Sequence, residues 1–494
     1  MRAGVVLVSA IATCGGVAVL AGCEKDEPER PPPSVVGTTP APPPTSSGGP
    51  APSSGCGFPA EPTSFSLPAI PGLPFGSFTK ITGTATCNNS RPFIYELRDM
   101  TGDQQPDLFV KSACDDTTIG SLAWRVYVNT GSGFAAEPTR FTLPVPRLAD
   151  CATTTLLDLD GDLKPDLVTT SLCTDASVGT TRWLVNRNNG AGFDALTSYA
   201  LPEGMPQLAF ATLSAAEPEC PVGRPAFQAM DIDGDRKLDL VVTKVCNDTA
   251  VGTSQWRVYR GDGAAFTATA TPFALPTTPP ATPFMYASAT ATKAACDSSA
   301  FSRSYQLVDL DGDFAPEMLV TTLCNDVNVG TTKWLVHKNN GTGFAAPTTI
   351  DLPIFPGVRG AFTELTGAPA CDASKPGFET LDVTGDFHRD LLLTRSCVDA
   401  ASGVTRWLLY PHGNDKNVIS LAREAVPFTL PAALGATPSA PIGLDAERAC
   451  TGTRRPAFTS QYLVSRKLDL VVTQACQDTS VGATQWLLYE AGCR

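Results

Sequence analysis

The chain repeats itself. Cys173, Asp175, Gly179 and Trp183 stand in the spacing C-x-D-x-x-x-G-x-x-x-W, which returns from Cys114 to Trp124, Cys246 to Trp256, Cys324 to Trp334, Cys397 to Trp407 and Cys476 to Trp486. The six copies hold all 6 tryptophans of the 494-residue chain. Such self-similarity means one supersecondary unit used repeatedly, each copy burying its apolar face on the next. Four short runs can be read in a unit. One precedes an Asp-rich loop (Thr153 to Leu157), one follows it (Asp239 to Cys246), one carries the tryptophan (Trp256 to Tyr259), and one leads from a Gly-Phe to a Leu-Pro (Gly133 to Pro144). β-Branched runs cut by Gly, Asn and Asp are strand and hairpin signals. The expectation is an all-β fold, a six-bladed β-propeller of four-stranded blades.

The chain ends favour a ring over an open solenoid, which would need atypical capping units. The last repeat stops after Trp486 without a fourth strand, whereas Cys56 to Pro68 reads as a fourth strand with no repeat before it. An N-terminal strand that completes the last blade would close the ring. The 16 cysteines agree and point to an oxidising compartment. Cys14 lies in the leader and Cys23 at its end, while one pair falls in each repeat: Cys87 with Cys114, Cys151 with Cys173, Cys220 with Cys246, Cys296 with Cys324, Cys371 with Cys397, and Cys450 with Cys476. Cys56 and Cys493 remain. The repeat template puts them at adjacent positions of one hairpin turn, so a bond between them is expected.

Between the first and second strands lies D-x-D-G-D-x-x-x-D. Three repeats carry its full acidic set: Asp158, Asp160, Asp162 and Asp166; Asp231, Asp233, Asp235 and Asp239; Asp309, Asp311, Asp313 and Glu317. Carboxylates at positions 1, 3, 5 and 9, with a carbonyl at 7, can wrap one hard cation in oxygen, the donor set that calcium prefers. Without a cation the four charges would repel one another. Ca2+ is therefore the expected cofactor. Repeats one and five have Thr101 and Thr384 at position 3, among Asp99, Asp103 and Asp107 and among Asp382, Asp386 and Asp390, so weaker sites are expected there. The sixth repeat, from Tyr462 to Asp469, keeps only the final acid.

Loop, following Leu and Gly-Phe recur together, and in this they resemble the FG-GAP or VCBS repeats of integrin α-chain propellers and many bacterial surface proteins. The resemblance covers Cys56 to Arg494 and implies a calcium-binding propeller with its acid loops on the bottom face. The Cys-x-Asp-x-x-x-Gly loops and the variable insertions would then form the top face, where such propellers meet ligands. Two features depart from the pattern. Such repeats often have Gly at loop position 6, where this chain has Gln104, Leu163, Arg236, Phe314 and Phe387, and the cysteine pair in each repeat is additional. Function does not travel with a fold.

Residues 1–22 read as a secretory leader, with one basic residue ahead of an apolar run. Leu20, Ala21, Gly22 and Cys23 resemble the bacterial lipoprotein cleavage box, which makes Cys23 the expected lipidated residue and the lipid the only membrane contact. With Glu24 after the cysteine, outer membrane or cell surface is the expected address. Residues 23–55 are rich in Pro, Ser and Thr with almost nothing apolar, a tether that cannot bury enough surface to fold.

A net charge of −13 argues against nucleic acid as a partner. Asp116, Asp175, Asp248, Asp326, Asp399 and Asp478 are expected to cap six equivalent turns, and the tryptophans to pack the blades. Of the 3 histidines, His337 aligns with Asn186 and His388 sits in an acid loop, and surface roles are expected for both. The reading that unites these features is a surface-anchored binding or adhesion module for a protein or carbohydrate partner. The alternatives are a polysaccharide lyase or hydrolase on a propeller scaffold, and a structural or assembly protein of the envelope.

Overall fold

The computed structural model describes residues 55–143, 152–276, 288–289, 303–355, 358, 360–369, 375–413, 419–437, 441–450 and 454–493. The leader 1–22, nearly all of the tether 23–55 with Cys23, and the cysteines Cys151, Cys296 and Cys371 lie outside them. Pro52–Arg494 forms one compact unit.

The second strand of each repeat is its most buried. Asp107–Ser112, Asp166–Ser171, Asp239–Lys244, Glu317–Leu323, Asp390–Arg395 and Asp469–Gln474 are buried on both faces along most of their length. They accordingly read as continuous Val, Leu and Thr runs rather than as alternating ones. The fourth strands alternate, and each buries one large side chain against the tryptophan of its own sheet. Phe141 stands opposite Trp124, Tyr199 opposite Trp183, Phe273 opposite Trp256, Ile350 opposite Trp334 and Phe428 opposite Trp407. Buried indoles also need a hydrogen-bond acceptor. Trp183, Trp334, Trp407 and Trp486 donate Nε1–H to the carbonyls of Phe210, Phe362, Ile442 and Phe78, which lie in the segments leading to the following repeats. Packing within a blade and connection between blades thus meet on one residue.

The expected six four-stranded blades are corrected. Among the described residues five blades reach five or more strands, and only Thr153–Leu157, Asp166–Ser171, Arg182–Asn186 and Thr197–Ala200 form a sheet of four. The all-β fold is a β-propeller whose full blades number five. The added strands are short: Gly83–Thr86, Ser214–Ala215, Ser288–Ala289, Thr366–Gly367 and Asp445–Ala446, each pairing with the first strand expected for its unit. Segments of two to four residues carry no periodicity by which a sequence could announce them.

The first and last described strands meet as well. Thr63–Ser66 pairs with Gln485–Glu490, placing Phe65 opposite Trp486. Cys56–Gly57 pairs antiparallel with Gly492–Cys493 and parallel with Val426–Thr429, which extends the sheet of the fifth repeat to seven strands. Gly57 must be glycine, since a Cβ there would lie 2.6 Å from the Thr429 nitrogen. Among the described residues four disulfides join two described cysteines: Cys56–Cys493, Cys87–Cys114, Cys220–Cys246 and Cys450–Cys476. Cys173, Cys324 and Cys397 are also disulfide-bonded. His337 is not a surface residue. It is 1% exposed, and its Nδ1 lies 2.9 Å from the Ala345 carbonyl, the place that the Asn186 amide takes against Asp194 in the second repeat.

Replacing Cys56 and Cys493 together by serine should lower the unfolding free energy by about 2–5 kcal/mol. Urea melts without reductant measure this, and an unchanged midpoint would show that the ring needs no covalent seam.

Candidate metal centres

The acid loops are built from the backbone outward. The position-1 carboxylate closes each loop on itself. Asp99 accepts the N–H of Gly102 and of Gln104, both at 2.7 Å. Asp158 takes Gly161 and Leu163, Asp231 takes Gly234 and Arg236, Asp309 takes Gly312 and Phe314, and Asp382 takes Gly385 and Phe387. Position 6 lies in the left-handed region in all five loops, with φ between 68° and 71°. A non-glycine residue there costs roughly 1–2 kcal/mol. Three of the side chains concerned are used between repeats: the Arg236 guanidinium lies 4.4 Å from the Phe314 ring centre, and Arg466 lies 5.1 Å from the Phe387 ring centre. Contacts of this kind offset part of the strain, and a glycine could not make them.

The position-9 acid does different work. Asp107 is fully buried and accepts the N–H of Met100 from its own loop and of Asn129 from the hairpin after the tryptophan strand, both at 2.9 Å. Asp166, Asp239 and Asp390 repeat the pair through Leu159 and Asn188, Ile232 and Gly261, and Val383 and His412. Asp469 bonds Leu463 and Val464 even though its loop is gone. That is why the sixth repeat keeps its final acid alone.

Three groups of carboxylates converge, with one oxygen from each member within 4.8 Å of the others: Asp158, Asp160 and Asp162; Asp231, Asp233 and Asp239; Asp309, Asp311 and Glu317. They belong to the three loops with the full acidic set. Asp166, Asp235 and Asp313 stand outside these groups, and among the described residues the Thr101 and Thr384 loops form no such group. Instead Thr101 donates its hydroxyl to Asp107 at 3.3 Å. Asp160 Oδ1, Asp311 Oδ1 and Glu317 Oε1 are buried with no hydrogen-bond partner. Orphaned acceptors in an all-oxygen set fit a metal ion, since leaving them unpaired is costly. These three loops could hold one.

Burial drives the electrostatics. It pushes Asp239 and Asp107 up to about 7 and Glu317 up to about 9, with Asp311 adding repulsion at Glu317. Three residues that the sequence reading passed over also enter the loops: Arg187, Arg260 and Lys338. Arg260 Nη1 lies 2.6 Å from Asp233 and 3.0 Å from Asp239, Arg187 Nη1 lies 3.3 Å from Asp160 and also contacts Asp166, and Lys338 Nζ lies 2.5 Å from Asp311. Arg187 and Arg260 stand one residue before the hairpin position whose N–H meets the position-9 acid, and Lys338 holds the same place in its repeat, a register that could have revealed them.

The six Cys-x-Asp aspartates cap their turns. Oδ1 of Asp116, Asp175, Asp248, Asp326, Asp399 and Asp478 accepts the N–H two residues on. Hydrogen bonds from the Thr118 and Ser177 hydroxyls and N–H groups, with Arg140 and Arg182 alongside, hold Asp116 and Asp175 down to about 2.

No family model matches the chain, and no curated protein matches it. Solved structures resemble the chain only at low similarity. A Photorhabdus luminescens Tc holotoxin pore is 13% identical with a TM-score of 0.43, covering 86% of this chain, which spans only 15% of the toxin chain. An Agrocybe aegerita lectin that recognises non-reducing terminal N-acetylglucosamine is 15% identical with a TM-score of 0.35, covering 80% of this chain and 85% of its own. A Penicillium chrysogenum α-L-arabinanase complexed with arabinobiose is 10% identical with a TM-score of 0.28, covering 88% and 99%. Likenesses this distant carry no functional argument.

Metal-free stability should fall as pH rises. A carboxyl raised to about 9 keeps in the folded chain a proton that the unfolded chain releases near pH 4, so stability present below pH 4 is lost on the way to pH 9. Glu317→Gln should flatten that fall, measured as melting temperature from pH 5 to 8 in chelator. Parallel profiles for parent and variant would refute the assignment.

Proposed function

We propose that the chain is a binding module of the bacterial cell envelope, anchored through lipid on Cys23, and that it presents a rigid propeller face to a protein or carbohydrate partner. The observation that carries this reading is the equivalence of the six Cys-x-Asp turns, capped alike by their own aspartates. A surface of repeated, braced turns presents pre-formed contacts, which lowers the ordering cost of binding. In this reading the three full acid loops take calcium. The all-oxygen donors and their flexible loops suit it better than magnesium, which demands stricter octahedral geometry. Calcium serves structure here, holding carboxylates together that would otherwise repel.

One observation favours a second reading, a polysaccharide-processing enzyme. Burial pushes Glu379 up to about 7, with the negative field of Asp445 from the sixth repeat adding to it. A protonated carboxyl beside a second acid is suited to general acid work.

An array of polysaccharides and envelope proteins probed with the full disulfide-bonded chain separates the two. The binding reading expects a captured ligand recovered unchanged, with loss of capture or a lower melting temperature in chelator. Cleaved product, abolished by Glu379→Gln, would replace it with the enzymatic one. Radiolabelled palmitate incorporation that disappears in Cys23→Ser tests the anchor.

A further inference from the structure

The acid at loop position 3 never occurs without a matching base. Where position 3 is Asp160, Asp233 or Asp311, the residue just before the hairpin anchor is Arg187, Arg260 or Lys338. Where position 3 is Thr101 or Thr384, the same place holds Val128 or Pro411. All five loops obey this rule. The sixth repeat, which has lost the loop, has Glu490 there.

The geometry explains the pairing. Each base enters its own loop and touches the position-3 acid, at 3.3 Å, 2.6 Å and 2.5 Å for Arg187, Arg260 and Lys338. The two arginines also reach out of their repeat. Arg260 Nη2 donates to the Gly341 carbonyl at 2.6 Å, and Arg187 Nη2 donates to the Gly263 carbonyl, both in the hairpin of the next repeat. One guanidinium therefore offsets part of the loop's charge and clasps the adjacent blade. Lys338 lies 2.5 Å from Asp311 and 3.8 Å from Asp313 and leaves two buried oxygens without partners, Asp311 Oδ1 and Glu317 Oε1, against one, Asp160 Oδ1, in the Arg187 loop. A compact ammonium cannot span the site as a planar fork does.

We propose that Arg187, Arg260 and Lys338 are resident counter-cations that compete with a divalent ion for these loops, so that metal entry displaces the side chain and opens the arginine clasps to the next blade. The inference builds on the reading that the loops take calcium, and adds that the chain sets its own threshold for it. A side chain that occupies the loop about nine-tenths of the time weakens apparent metal affinity about tenfold. The Lys338 loop, whose oxygens are least satisfied, fills first.

Calcium titration by calorimetry on the full disulfide-bonded chain, paired with melting in chelator and in calcium, tests this. Arg260→Met should bind calcium about tenfold more tightly at one site, melt lower than the parent in chelator, and regain the difference in calcium. Arg260→Lys, which keeps the charge but not the fork, should fall between the two and guards against a fold too weak without any base. If the parent is silent and Arg260→Met binds, the competition stands and calcium occupancy of the natural loops fails. If the parent binds and neither variant binds more tightly, the competition is overturned and the calcium reading survives. Silence in all three overturns both.

Discussion

A buried carboxylate at the head of each second strand holds the repeat together. It takes one N–H from the preceding loop and, in the repeats led by Asp107, Asp166, Asp239 and Asp390, another from the hairpin that follows the tryptophan strand. Two connections far apart in sequence are thereby fixed to one side chain. Hydrogen bonds of backbone N–H to a carboxylate are among the stronger ones available, and the position-9 acids that make them are buried. Asp469, alone in a repeat that has lost every other loop acid, shows that this acid serves the fold before any metal.

Around that fixed point the loops vary. Position 1 closes the turn in five repeats, whereas position 3 is Asp in three and Thr in two. The buried anchor is a charge problem wherever a second acid stands beside it, and the chain has two answers. Thr101 supplies a hydroxyl to Asp107. Arg187 and Arg260 supply a guanidinium to Asp166 and Asp239. The mixture of acid loops with Asp and with Thr at position 3 is thus also a mixture of charge-compensation schemes.

Much of this was legible in the sequence. The six Cys-to-Trp spans, the turn caps and the pairs Cys87–Cys114, Cys220–Cys246, Cys450–Cys476 and Cys56–Cys493 follow from spacing, because symmetry repeats the same contact. What could not be read has physical causes. Ser214–Ala215 and Thr366–Gly367 are strands only because a longer neighbour offers them its edge, and two residues hold no pattern. The blade count failed on such pieces. His337 reads as a surface residue because nothing local marks burial, although its alignment with Asn186 shows that a ring nitrogen can serve where an amide does. Arg187, Arg260 and Lys338 escaped notice because their partners lie about a hairpin away.

The meeting of Cys56 with Cys493 has a topological consequence. Thr63–Ser66 lies in the sheet of the last repeat, so the folded ring has a seam but no first or last unit in any energetic sense. The contacts that flank the seam recur at other boundaries: a fourth strand beside a tryptophan strand, and a residue of the following hairpin bridged to the fourth strand before it, as Gly133 is to Ser66, Gly343 to Ala274 and Gly57 to Thr429. A circular permutant joined at the seam and opened between two other repeats would inherit every one of them, and where synthesis begins becomes a matter of delivery rather than of structure.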